Sequence, residues 1–205
     1  MTHAEQRRVT SMRNPPIKPA RAVPDPRARG FTLIELLITV AMIGVLATLG
    51  IVGYRKFIQS AQSSEAKAVI GAIRGGQEAY KAEMLVYLSP SASMADYYPN
   101  KTPNDSRMNW IQTTDTRFTN AVNGWALLNI ATDAPVRFGY ACVAGIGSPM
   151  QAPTALATAP AMPTLPAGVP WYTIQAVNDH DGNNIFAVFA TASTSSEILS
   201  QNEQE

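Results

Sequence analysis

One cysteine, Cys142, stands in the whole 205-residue chain, so no disulfide can close within it. That count carries no compartment information. Histidine is nearly as scarce: His3 lies near the N-terminus and His180 in a polar stretch. No nucleophile has a base at a motif spacing. There is no phosphate loop, no zinc-ligand spacing and no dinucleotide fingerprint. The chain is therefore expected not to be an enzyme. Charge is also sparse, at 15% of residues with a net of +1. Residues 1–30 hold seven basic and two acidic side chains, a net +5; the remainder holds nine basic and thirteen acidic, a net −4. A body that is mildly acidic, without a basic patch, argues against nucleic acid as a partner.

From Phe31 to Gly53 there are 23 residues without a charge except Glu35, and without a proline. As a helix this run spans about 35 Å, enough to cross a hydrocarbon core of about 30 Å. A carboxylate inside such a segment costs about 2.5–3.5 kcal/mol on insertion scales, which makes Glu35 a functional candidate. The order of features excludes an ordinary secretory signal, in which the apolar region precedes the cut. Here the apolar run follows Gly30, and a cut there leaves the anchor on the mature chain. The leader, residues 1–30, is proline-rich, lacks an apolar core and reads as disordered. Its basic residues are expected to hold it in the cytoplasm. An internal start at Met12 is an alternative to so long a leader.

The stretch Arg29-Gly30-Phe31-Thr32-Leu33-Ile34-Glu35, continuing apolar to Ala47, resembles the N-terminus of type IV prepilins and of the pseudopilins of type II secretion. The resemblance is close from Arg29 to about Ala47, looser to about Tyr87, and one of general layout beyond. It implies cleavage between Gly30 and Phe31 by a prepilin peptidase and N-methylation of Phe31. It also implies that Glu35 serves filament assembly by pairing with the Phe31 amine of a neighbouring subunit. Arg55 and Lys56 lie about 30 Å beyond Glu35 along such a helix, too far to substitute. Many pilins close a C-terminal loop with a disulfide; this chain, with Cys142 alone, departs from that pattern.

The fold class expected is α+β: a long N-terminal helix, half membrane and half amphipathic, packed on a small antiparallel sheet head. Residues 31–53 form the membrane half and 54–87 the amphipathic half. Val69, Ile73, Gly76, Tyr80, Met84 and Tyr87 recur at spacings of three and four, one helical face. The helix is expected from about Thr32 to about Val86. Gly44, Gly50 and Gly53 are either its weak points or sites of close helix packing. Thr32 and Thr39 are expected to bond their own helix backbone.

Residues 88–205 form the head. Residues 88–124 read as an irregular polar connection. Trp125 to Ile130 reads as a strand. Val136, Phe138, Tyr140 and Cys142 alternate with Arg137, Gly139 and Ala141 as a half-buried strand, which puts Cys142 in the core. Residues 148–170, with six prolines and no charge, read as an exposed, extended loop that packs on a neighbour or carries sugars. Trp171 to Val177 and Ile185 to Thr191 are strands joined by Asn178-Asp179-His180-Asp181-Gly182-Asn183-Asn184. Asp-Gly there is a hairpin signal. Asp179, Asp181 and Asn183 also resemble the first half of a calcium loop. No bidentate Glu follows at the usual distance, and the plain turn is the stronger reading. No other cofactor is expected.

The function implied is a structural subunit, major or minor, of a type IV pilus-like filament. A type II secretion pseudopilin shares every N-terminal feature and is the nearest alternative. A single-pass anchored binding module that never polymerises is the alternative of another class, and it makes Glu35 dispensable. Implied partners are the prepilin peptidase, an inner-membrane assembly machinery, other pilin subunits of the same or different kind, and membrane lipid before assembly. The implied location is the bacterial inner membrane, with the head outside, and then the filament.

Overall fold

The computed structural model describes residues 30–110 and 121–203. The leader up to Arg29, part of the polar connection and the end of the tail lie outside the described residues. The chain forms two compact units, Met1–Leu46 and Ala47–Glu205. In the first, Gly30, Phe31 and Thr32 are non-helical, helix α1 (Leu33–Met84) begins, and every described side chain is exposed. The helix runs through Gly44, Gly50 and Gly53 without a break in its assignment.

In the second unit the rest of α1 lies against a five-stranded sheet. The elements after α1 are β1 (Tyr98–Pro99), α2 (Ala121–Leu127), β2 (Gly139–Ile146), β3 (Pro170–Asn178), β4 (Ala187–Ala192) and β5 (Leu199–Gln201). Neighbours in space follow chain order, β1-β2-β3-β4-β5, and every pair is antiparallel. Cys142 faces Ile174 across β2–β3, and Ile174 faces Thr191 across β3–β4. The expected α+β architecture is therefore present.

The face of α1 that enters the core is Ala66, Val69, Ile70, Ile73 and Gln77, recurring every three or four residues. It meets Phe138, Tyr140, Cys142, Tyr172, Ile174, Ala176 and Phe189 in one cluster. Val69 and Ile73 hold the positions read from the sequence, and Tyr80 packs at the margin. Met84, read onto the same face, is 56% exposed because the helix ends there. Leu85 turns into the left-handed region (φ 64°) and its N–H closes onto the Lys81 carbonyl at 2.8 Å.

Three sequence readings are corrected. Trp125 to Ile130 is not a strand: residues 121–127 are helix α2, followed by a turn. Trp125 and Leu128, three apart, are buried while Leu127 is 61% exposed, which is a helical rather than an alternating pattern. Trp125 is fixed by stacking on Tyr98 (centroids 5.6 Å apart), with Trp110 edge-on to both. The polar connection is not wholly irregular, since it contributes β1 and the start of α2.

The stretch 148–170 is not simply exposed. It folds back over the face of the sheet opposite α1, where Met94, Val143, Met150 and Trp171 form a second cluster with Met162 and Leu165 packed on it. Thr173 Oγ1 donates to the Gln151 carbonyl, and the N–H groups of Thr154 and Ala155 donate to Gln175 Oε1. This cover is why Ala141, on the face read as solvent, and Val143, two residues on, are buried. An uncharged, alanine- and proline-rich strap suits that position: it offers apolar surface, and the N–H groups of Thr154, Ala155, Ala157 and Leu165 find side-chain acceptors.

Candidate functional site

At the start of α1, Thr32 and Glu35 form a capping box. Glu35 N–H donates to Thr32 Oγ1 at 3.3 Å, and Thr32 N–H donates to Glu35 Oε2 at 2.9 Å. Thr32 Oγ1–H also donates to Glu35 Oε2, at 2.7 Å. The spacing Thr-x-x-Glu is what such a box requires, because it lets each side chain reach an otherwise orphaned N–H of the first turn. Both bonds to the carboxylate use Oε2. The helix therefore starts at Leu33, and Gly30 and Phe31 stand ahead of it in non-helical backbone, both exposed. Thr39 Oγ1 donates to the Leu36 carbonyl at 2.8 Å, a bond to its own helix, as expected from the sequence.

The exposed surface that follows is apolar on all sides: Leu33, Ile34, Leu36, Leu37, Val40 and Ile43 are each 60% exposed or more. Monomeric soluble proteins rarely leave so large a contiguous apolar surface bare. The described residues contain one helix long and apolar enough to cross a membrane, and it is α1.

The head holds the other candidate residues. Between β3 and β4 the turn is closed by its own side chains. Asp179 accepts from Gly182 N–H at 2.8 Å and, through its other oxygen, from Asn184 N–H at 3.1 Å. Asp181 accepts from Asn183 N–H and Nδ2, and Asn183 Oδ1 from Ile185 N–H. Gly182 and Asn184 take positive φ, 75° and 64°. The oxygens proposed for calcium are thus directed at local N–H groups. Among the described residues no three His, Cys, Asp or Glu side chains converge on a metal position. His180 Nδ1 stands 2.8 Å from Asp105 Oδ1, and Arg137 Nη1 reaches the same oxygen. This ties the turn to the loop before β2.

Cys142 is fully buried against α1, and burial pushes its thiol up to about 12. Gln77 Nε2 donates to its Sγ at 3.1 Å and to the Leu88 carbonyl at 2.6 Å, while Leu88 N–H donates to Gln77 Oε1 at 2.9 Å. Sequence reasoning missed Gln77. The signal available was its place, four residues after Ile73, on the apolar face.

Residues 25–51 match the family model described as the prokaryotic N-terminal methylation motif. The type IV major pilin protein PilA of Myxococcus xanthus (strain DK1622) is 46% identical over 59 residues, which is 29% of this chain and 27% of that one. Fimbrial protein EcpC of Eikenella corrodens is 35% identical over 65 residues, 32% of this chain and 42% of the relative. Fimbrial protein Q of Moraxella bovis is 34% identical over 67 residues, 33% and 41% of the two chains. The matched stretch spans about a quarter to two fifths of the length of these curated relatives. No solved structure matches the chain. The chain carries the prokaryotic N-terminal methylation motif over residues 25–51 and is similar, over about a third of its length, to type IV pilin and fimbrial proteins.

Proposed function

We propose that this protein is a structural subunit of a type IV pilus-like filament. A prepilin peptidase cuts between Gly30 and Phe31, the new amine of Phe31 is methylated, and α1 holds the subunit in the inner membrane with its head outside until assembly. The observation that carries this reading is the exposed apolar start of α1 with one carboxylate, Glu35, behind a non-helical Gly30-Phe31 junction. In a filament the apolar faces of neighbouring copies cover each other. Glu35 then sits among apolar helices, where only a charged or hydrogen-bonding partner offsets its desolvation. Thr32 supplies two hydrogen bonds from the same chain, both to Oε2. The ammonium of Phe31 on a neighbour supplies the charge and sets the axial register. Methylation leaves that charge in place at neutral pH.

The test is to shear surface fibres from cells, image them, and identify the N-terminal peptide by mass spectrometry. The expected peptide begins at Phe31 with a methylated amine. A mature chain beginning elsewhere would sink the proposal, and so would subunits found only in membranes.

A further inference from the structure

Past Gly53 the surface of α1 changes character. Residues 54–64 hold two cations, Arg55 and Lys56, and no carboxylate. Neither cation has a partner among the described residues. Tyr54 and Phe57 flank them, 67% and 70% exposed. This is the composition of a membrane–water boundary, with aromatic rings at headgroup level and basic groups beside them. Lys56 stands about 5 Å beyond Gly53 along the helix, within the headgroup layer of a bilayer whose core ends near Gly53.

A groove of about 220 Å³ opens at the same place, lined by Lys56, Ser60, Ser63, Lys67 and Glu203 among others. Its far end is already neutralised: Lys67 Nζ pairs with Glu203 Oε1 at 3.0 Å, and Ser63 Oγ donates to the Glu203 carbonyl. The Ser200 hydroxyl and Lys67 together hold the Glu203 carboxyl below the usual range. The near end keeps the Lys56 ammonium without a counter-charge. On the outer face of the membrane, two basic residues oppose the orientation set by the basic leader. A lipid phosphate lies at that depth and offers them a complementary charge.

We propose that Arg55, Lys56 and the near end of this groove bind the phosphate of an anionic phospholipid on the outer face of the membrane. This holds the head at the bilayer before the subunit enters a filament. The inference rests on the anchored orientation proposed above. The phosphate meets Lys56, which lines the groove with Ser60, and Arg55, one residue earlier, adds a second positive charge at the same depth.

The experiment places the full chain in vesicles of equimolar phosphatidylglycerol and phosphatidylcholine, with flotation and alkaline extraction to verify insertion. Native mass spectrometry of the detergent-released subunit then counts each lipid retained. The leader is present in every variant, so differences between variants read the outer basic pair. Arg55→Gln and Lys56→Gln should each lower the phosphatidylglycerol preference by about fivefold, the equivalent of about 1 kcal/mol per basic group near an anionic surface. Lys67→Gln should leave it unchanged. Unaltered lipid retention in the Arg55→Gln, Lys56→Gln double variant overturns the proposal while leaving the anchored reading intact. So does unaltered retention accompanied by loss of filaments, which would assign the pair to a neighbouring copy. Displacement of the lipid by added inorganic phosphate, retained in its place, overturns the commitment to lipid. Failure of the wild-type chain to insert overturns the anchored reading itself.

Discussion

Gln77 and Cys142 show how single side chains fix the join between helix and sheet. The Gln77 amide replaces the backbone partners that Leu88 loses when the chain leaves the helix, and it also reaches the thiol. Gln77→Ala leaves a part-buried N–H and carbonyl unpaired, and unfolding of the full chain in detergent should show a loss of about 1–3 kcal/mol. Gln77→Leu, which keeps volume, should not restore it. Cys142 gives the fold a pH dependence whose sign is fixed. Its thiol titrates near 9.0 when unfolded and near 12 when folded, so between those values the unfolded chain has lost a proton that the native chain keeps. Stability is then fully present below about pH 9 and declines as pH rises towards 12. Tyr140, pushed up by burial and by Glu65, adds a loss of the same sign. Denaturant midpoints across alkaline pH should fall, and should fall less in Cys142→Ala. A flat profile would contradict the burial described for both groups. The core position of Cys142 was legible because it alternates with apolar neighbours. Gln77 was not, since a polar residue on an apolar face has no meaning until Leu88 is seen beside it.

At the scale of elements, periodicity reported well wherever one element packs on another. α1, β3 and β4 were legible from spacing alone, and their ends shifted by a few residues at most. α2 was not, because Trp125-Ala126-Leu127-Leu128 is too short to separate a period of two from one of 3.6. What decides it is tertiary: the Trp125 ring stacks on Tyr98, a residue of β1 that gave no strand signal over two positions. The strap 148–170 was legible as a loop, but its contacts lie with the back of its own sheet. Covering that face requires knowing that α1 takes the other. The β3–β4 turn closes on its own Asp and Asn side chains, and calcium should not be needed to form it. Thermal midpoints of the full chain with calcium and with chelator should coincide within error. A large rise with calcium, lost in Asp181→Ala, would show that these oxygens leave their N–H partners for a metal.

For the whole molecule, the candidate site was more legible than the head. The apolar run, Glu35 and the Gly30-Phe31 junction are read from the chain in order, because a membrane segment is defined by composition. The capping box was not read, although Thr32 and Glu35 have its spacing, because the apolar run drew attention to the carboxylate as a lone charge. That box gives Glu35 a capping role separable from the pairing proposed for assembly. Glutamine keeps an oxygen for the Thr32 N–H and so keeps the helix start, but it has no charge for a neighbour's amine. The most direct measurement of the assembly account is therefore the ratio of sheared filament to membrane-retained subunit, by immunoblot, in cells carrying Glu35→Gln. The account predicts a cleaved, membrane-bound subunit and a ratio reduced by about tenfold or more, since about 1.4 kcal/mol of lost pairing is already a factor of ten. A wild-type ratio would contradict it, leaving Glu35 as a helix cap whose charge assembly does not need.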